Sequence, residues 1–158
     1  MPASSPLPYR VVRLTSADGA LAKEVFATMA AVFDEENEPL GEAYVARLLA
    51  RADFWALGAL AGDEVIGGLT GHVLPMTRSE SSEIFLYDLA VRADHQRRGV
   101  GRLLVNHLIT AAGEAGIASV FVPADDDDDH ALDFYRAIGG DPAPVTIFSF
   151  DPAAPRQS

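Results

Sequence analysis

Apolar positions along the chain switch between two spacings. Residues 9–14 (YRVVRL) read as a short strand. In residues 18–33 the apolar side chains Leu21, Val25, Met29 and Val32 recur at helical intervals, which predicts an amphipathic helix. Residues 34–40 (DEENEPL) form an acidic loop, and residues 42–52 predict a second helix carrying Tyr44, Leu48 and Leu49. Residues 54–61 and 65–74 are two strands joined across Gly62-Asp63, a hairpin signal. A polar loop over 75–82 leads to a strongly apolar strand, 84–91. A helix over 99–115 closed by Gly116, a strand over 117–122, a helix over 131–138 closed by Gly139-Gly140, and a last strand over 145–150 complete the pattern. Strand and helix alternate in the second half, so the fold class is α/β with a mixed sheet and a parallel element there.

Residues 1–8 and 151–158 read as tails on a single domain spanning 1–158. A chain of 158 residues fits one domain, and its 49% hydrophobic and 22% charged content is globular. Twelve basic against 23 acidic residues leave a formal charge of −11. That balance argues against nucleic acid and anionic membrane as partners, and suits a cationic one. The absence of cysteine excludes thiolate catalysis and Cys-bound metal. No apolar run is long enough for a membrane span, and the N-terminal segment lacks the features of a secretory signal, so a cytoplasmic location is expected.

Residues 92–102 (RADHQRRGVGR) follow the apolar strand and open a helix. Glycine lets backbone N–H groups approach a ligand closely, and a helix N-terminus favours a phosphate. Arg92, Arg97, Arg98 and Arg102, four of the twelve basic residues, gather here. The stretch predicts a pyrophosphate cradle. It has neither the G-x-G-x-x-G spacing of a dinucleotide fold nor a Walker-type Gly-Lys-Ser/Thr. Asp88 is the other anomaly. In residues 84–91 strict alternation sets Phe85, Leu89 and Val91 on one face and Ile84, Leu86 and Ala90 on the other. A strand apolar on both faces is a central one. A carboxylate within it is either satisfied structurally or functional, because burial without a partner costs several kcal/mol.

At these residues the sequence resembles the GCN5-related N-acetyltransferases, the GNAT family. Gln96-Arg97-Arg98-Gly99-Val100-Gly101 matches the loop that holds the pyrophosphate of acetyl-coenzyme A in that family. Arg102 follows it, and Leu89-Ala90-Val91 sits where the family's splayed strand pairs with the pantetheine arm. Residues 132–139 (LDFYRAIG) look like the later helix whose tyrosine faces the thioester sulfur. Residues 82–91 (SEIFLYDLAV) and 123–129 (PADDDDD) are similar to aminoglycoside 3-N-acetyltransferases of the gentamicin-resistance type, from which the unbroken five-Asp run departs. The resemblance implies a V-split mixed sheet of six to seven strands with helices on both faces, and acetyl-CoA as cofactor. It implies an aminoglycoside as acceptor, Asp88 as general base and Tyr135 as general acid. On spacing alone, Tyr135 shares an apolar helix face with Leu132, Phe134 and Ile138 and reads as core; the resemblance reverses that.

Glu83 opens the Asp88 strand and is a contact for a cationic substrate, a proton relay through water or a solvated strand end. Asp125, Asp126, Asp127, Asp128 and Asp129 draw cations, while Asp128 or Asp129 can also cap the helix that follows. Clustered carboxylates suit a hard cation as well, but the run lacks EF-hand spacing, and no metal is assigned. Glu35, Glu36 and Glu38 lie in a loop that lines the acceptor pocket in the superfamily. His72, His95, His107 and His130 show no metal spacing and are secondary candidates as bases. Without cysteine a thioester acyl-enzyme is excluded, so transfer is direct. A polyamine, another small amine or a peptide N-terminus remains an alternative acceptor, a non-catalytic acyl-CoA-binding module an alternative function, and a homodimer an open option for assembly.

Overall fold

The computed structural model describes residues 8–34 and 38–157. The chain divides into two compact units, one ending at Pro123 and the other starting at Ala124.

In the first unit β1 (Tyr9–Arg13), β2 (Phe54–Ala61), β3 (Glu64–Pro75), β4 (Ser82–Val91) and β5 (Ser119–Phe121) form one sheet in sequence order. The first three junctions are antiparallel and β4–β5 is parallel. Helix α1 (Gly19–Val32) buries Ala22, Val25 and Met29, and α2 (Glu42–Leu49) buries Val45 and Leu49. These pack with Phe54, Ala56, Leu60, Val65 and Ala90 into one core. Helix α3 (Val100–Glu114) covers the opposite face with Leu104, Val105 and Leu108. The glycines of β3 locate the two faces. A Cβ on Gly68 would meet Val25 and Met29, whereas one on Gly71 would meet Ile84 and Leu108. The close approach of α1 therefore requires glycine at Gly68.

Parallel pairing runs only from Glu83↔Ser119 to Phe85↔Phe121. Among the described residues, β4 has no strand partner on that side from Leu86 to Val91, which is the expected split.

The second unit holds α4 (Asp129–Ala137), a short amphipathic helix capped by Asp128, whose carboxylate accepts from the Ala131 N–H at 3.0 Å. Residues 145–150 are not a strand, which corrects the expected sixth to seventh strands: the described residues contain five. The sequence VTIFSF has the composition of a strand, but a strand needs a neighbour to take its N–H and C=O groups. Among the described residues the second unit contains no strand to supply one. Val145, Ile147, Phe148 and Phe150 are all exposed.

Candidate functional site

The site begins with an irregularity in β4. Thr70 pairs with Asp88, but its neighbour Gly71 pairs with Leu86, so Tyr87 is an extra residue with no partner opposite. This β-bulge shifts the phase of the strand. Ile84 and Leu86 face α3 and are buried. Beyond the bulge Ala90 packs with the α1 core and Asp88 lies on the Thr70 side. The alternation expected from sequence therefore fails at Tyr87. Asp88 shares a face with Glu83, Phe85 and Tyr87 and is half-buried rather than enclosed in a central strand. The Thr70 hydroxyl, a buried polar group, donates to Asp88 Oδ2 at 3.4 Å. Glu83 stands five residues away, about 15 Å along the strand, so the two carboxylates do not meet.

Past Val91 the chain makes a 3₁₀ turn (Ala93–His95) and reaches the N-terminus of α3. The Gln96 side-chain amide donates back to the Val91 carbonyl at 2.8 Å, which ties the loop to the strand end. Tyr9 Oη lies 3.1 Å from His95 Nδ1, tying β1 to the same turn. Arg97 and Gly99 both adopt left-handed backbone, with φ of 61° and 83°. No side chain caps α3. Its first amides lack intrahelical acceptors, which leaves an anion-binding terminus. Val100 is buried and anchors the turn, while Arg97, Arg98 and Arg102 are exposed around it. Arg92 departs from the expected cluster. Its guanidinium is held by Glu64 and by Asp94 Oδ2 at 2.8 Å, and the Glu64 hydrogen bond, with the charges of both carboxylates, raises its pKa further. Its charge is spent within the protein. An open recess of about 450 Å³ lies beside the loop, between Thr28, Ala31 and Val32 of α1 and Arg92, Asp94 and Gln96.

Tyr135 lies on α4, with its ring edge-on to Phe134 at 5.1 Å between centroids. Burial first, and then the charge of Asp128, hold its phenol above the usual tyrosine range. It stays protonated at neutral pH. Asp125, Asp126, Asp127, Asp128 and Asp129 are all exposed, and Asp128 is committed to the cap. Glu38 is exposed, and Glu35 and Glu36 lie outside the described residues. His107 sits on the outer side of α3, where its Nδ1 lies 3.2 Å from the Leu103 carbonyl. Among the described residues no three His, Asp or Glu side chains gather as metal ligands. Thr70, His72, Phe85, Tyr87 and Phe121 share the Asp88 face and were not singled out from sequence as a group. The bulge that joins them carries no Gly or Pro to mark it.

Residues 21–139 match the acetyltransferase (GNAT) family. The chain belongs to that family. The loop at Gln96–Gly101, with two left-handed residues, exposed arginines and an uncapped helix N-terminus beyond it, suits an anion such as a pyrophosphate. The chain's fold matches an aminoglycoside acetyltransferase, meta-AAC0020, from an uncultured soil metagenomic sample, solved with sisomicin. The TM-score is 0.86 and the identity 32%, covering 90% of this chain and 95% of that one. A second aminoglycoside acetyltransferase from soil metagenomic DNA, HMB0005, is 33% identical over 90% of this chain and 97% of that one, with a TM-score of 0.85. A shorter similarity, 30% identity over 70 residues, connects it to the ribosomal protein bS18-alanine N-acetyltransferase of Escherichia coli K12. That match covers 44% of this chain and 47% of the other, so the chain spans about half the length of the curated relatives it matches.

Proposed function

We propose that this GNAT acetyltransferase modifies an aminoglycoside, such as gentamicin, on the 3-amino group of its central deoxystreptamine ring and so confers resistance. The observation that carries the reading is the identity of 32% and 33%, over 90% of the chain, to two aminoglycoside acetyltransferases. The family match crosses both compact units, which supports one acetyltransferase domain. When bound, acetyl-CoA supplies the activated acetyl group. Residues Gln96 to Arg102 hold its phosphates, and the unpaired edge of β4 at Leu89, Ala90 and Val91 receives its pantetheine arm. Asp88 takes the proton of the attacking amine at a carboxylate oxygen, steadied by Thr70. A backbone N–H at Leu89 or Ala90 donates to the carbonyl oxygen as that atom gains charge. Tyr135 gives its phenolic proton to the departing sulfur. Glu83, Glu35, Glu36, Glu38 and the aspartates 125–129 hold the acceptor's other ammonium groups. The reading places the enzyme in the cytoplasm. Among the described residues no helix is long and apolar enough to cross a membrane. It allows a homodimer, for which the exposed apolar run at 145–150 offers a surface.

A peptide N-terminus is the second reading, supported by the similarity to the bS18-alanine N-acetyltransferase. Release of free coenzyme A thiol, compared for gentamicin, kanamycin, sisomicin, spermidine and an N-terminal alanine peptide, separates the two. We expect the highest kcat/KM with gentamicin or sisomicin. Turnover of the peptide or spermidine alone overturns the aminoglycoside reading, and coenzyme A binding with no turnover of any amine indicates a non-catalytic module.

A further inference from the structure

The Asp88 face carries a row of rings that the reaction scheme above does not use. The strand registers place Phe54 of β2 opposite His72 of β3, His72 opposite Phe85 of β4, and Phe85 opposite Phe121 of β5. The rings touch in series. Phe54 and His72 are 5.3 Å apart between centroids, and Phe85 stacks on Phe121 at 5.2 Å and 18°. Tyr87 stands edge-on to both His72 and Phe85, at 5.4 Å from each. Phe54 roots the row in the α1 core. The rest of it emerges: His72 and Phe85 are half-buried, Phe121 is 40% exposed and Tyr87 is 60% exposed.

Aromatic rings bury large apolar areas, and a connected set left open on a sheet face marks a binding surface. Its surroundings select the ligand. Thr70 and His72 are alternate residues of β3, about 7 Å apart on one face, so the Thr70–Asp88 pair flanks the row on one side. The β4 bulge sets Tyr87 and Asp88 on the same face, and Glu83, two residues before Phe85, flanks the row on the other side. A surface of ring faces with carboxylates at its edges takes a ligand that presents C–H faces and carries cations. An amino sugar has that form: C–H groups pack on aromatic faces, and ammonium groups are attracted to them.

We propose that His72, Phe85, Tyr87 and Phe121 are the floor on which the acceptor rests, and that they set which of its amines reaches Asp88. The inference rests on the acceptor reading above and names the residues that determine its specificity. Tyr87 and Phe121 are exposed, so replacing either leaves the core intact.

The test is calorimetric titration of sisomicin into the full-length protein saturated with coenzyme A, which reads acceptor affinity without turnover. Tyr87→Leu and Phe121→Leu keep apolar bulk and remove the ring. Each is expected to weaken sisomicin about threefold to tenfold while coenzyme A affinity stays constant. Tyr87→Phe, which restores a ring, should bind sisomicin more tightly than Tyr87→Leu. Unchanged sisomicin affinity in both leucine variants overturns the floor. An equal loss of sisomicin and coenzyme A affinity, or a change in oligomeric state with acceptor affinity intact, overturns it as well. If the wild type turns over spermidine or the alanine peptide in place of aminoglycosides, the acceptor reading fails by itself. The same variants then judge the floor against that amine: weaker binding upholds it and unchanged binding ends it. A wild type that acetylates none of these amines ends both.

Discussion

At the scale of single residues, the bulge at Tyr87 decides more than any side chain. Strict alternation would turn Asp88 toward α3 with Ile84 and Leu86. The extra residue instead delivers it to Thr70 on the open face. The Thr70 hydroxyl donates to a carboxylate, and such a bond favours the charged form. The charged form is the one that accepts a proton. Thr70→Val is nearly isosteric and removes the donor. We expect the acidic limb of the kcat/KM profile to move to higher pH, because the charged carboxylate loses a donor. Thr70→Ser should return the limb toward its original position. A profile that falls in height with no shift along the pH axis would reduce Thr70 to a packing residue.

At the scale of elements, the outline was legible where periodicity and punctuation agree. The hairpin at Gly62 was marked by its glycine, and that residue has the positive φ of 62° that such a turn requires. Helices α1 and α3 end within a residue of their expected bounds, because apolar spacing and Gly116 define them. The last strand was not legible. Residues 145–150 have strand composition, but a partner strand is a property of the whole sheet and leaves no mark on the segment itself. The bulge failed for a related reason: it is recorded in the register between β3 and β4 rather than in either sequence. The loop before α3 was legible as a glycine-punctuated turn that opens a helix. Gly99 shows why. No atom lies within 4 Å of the place its Cβ would occupy, so space is no obstacle, yet its φ is 83°. A β-branched residue there is strained and turns the amides away. Gly99→Val should lower acetyl-CoA affinity at least about tenfold, near 1.4 kcal/mol, by calorimetry. Undiminished affinity in the folded variant would remove the loop from the cofactor site.

At the scale of the whole molecule, charge is segregated. The formal total is −11, yet Arg97 and Arg98 in one loop are followed by Arg102 in the first turn of α3, and the five aspartates from Asp125 to Asp129 run unbroken. All five are exposed, with Asp128 already engaged as a cap. An exposed ion pair contributes about 0–1 kcal/mol, so no single aspartate can hold a polycation. Several weak pairs and the summed field can. Both decline as salt shortens the Debye length, from about 10 Å at 0.1 M to about 3 Å at 1 M. The proton transfer proposed at Asp88 would operate at contact distance and be far less screened. The KM for an aminoglycoside should therefore rise with ionic strength while kcat changes little. Replacing Asp125, Asp126, Asp127 and Asp129 by asparagine leaves the Asp128 cap in place. It should raise KM more than it lowers kcat, and it should flatten the salt dependence of KM. Steady-state kinetics at several salt concentrations, on the wild type and on this variant, check both. A salt dependence identical in the two proteins would move the cation-binding role away from residues 125–129 and onto the carboxylates beside the aromatic row, Glu83 and Asp88.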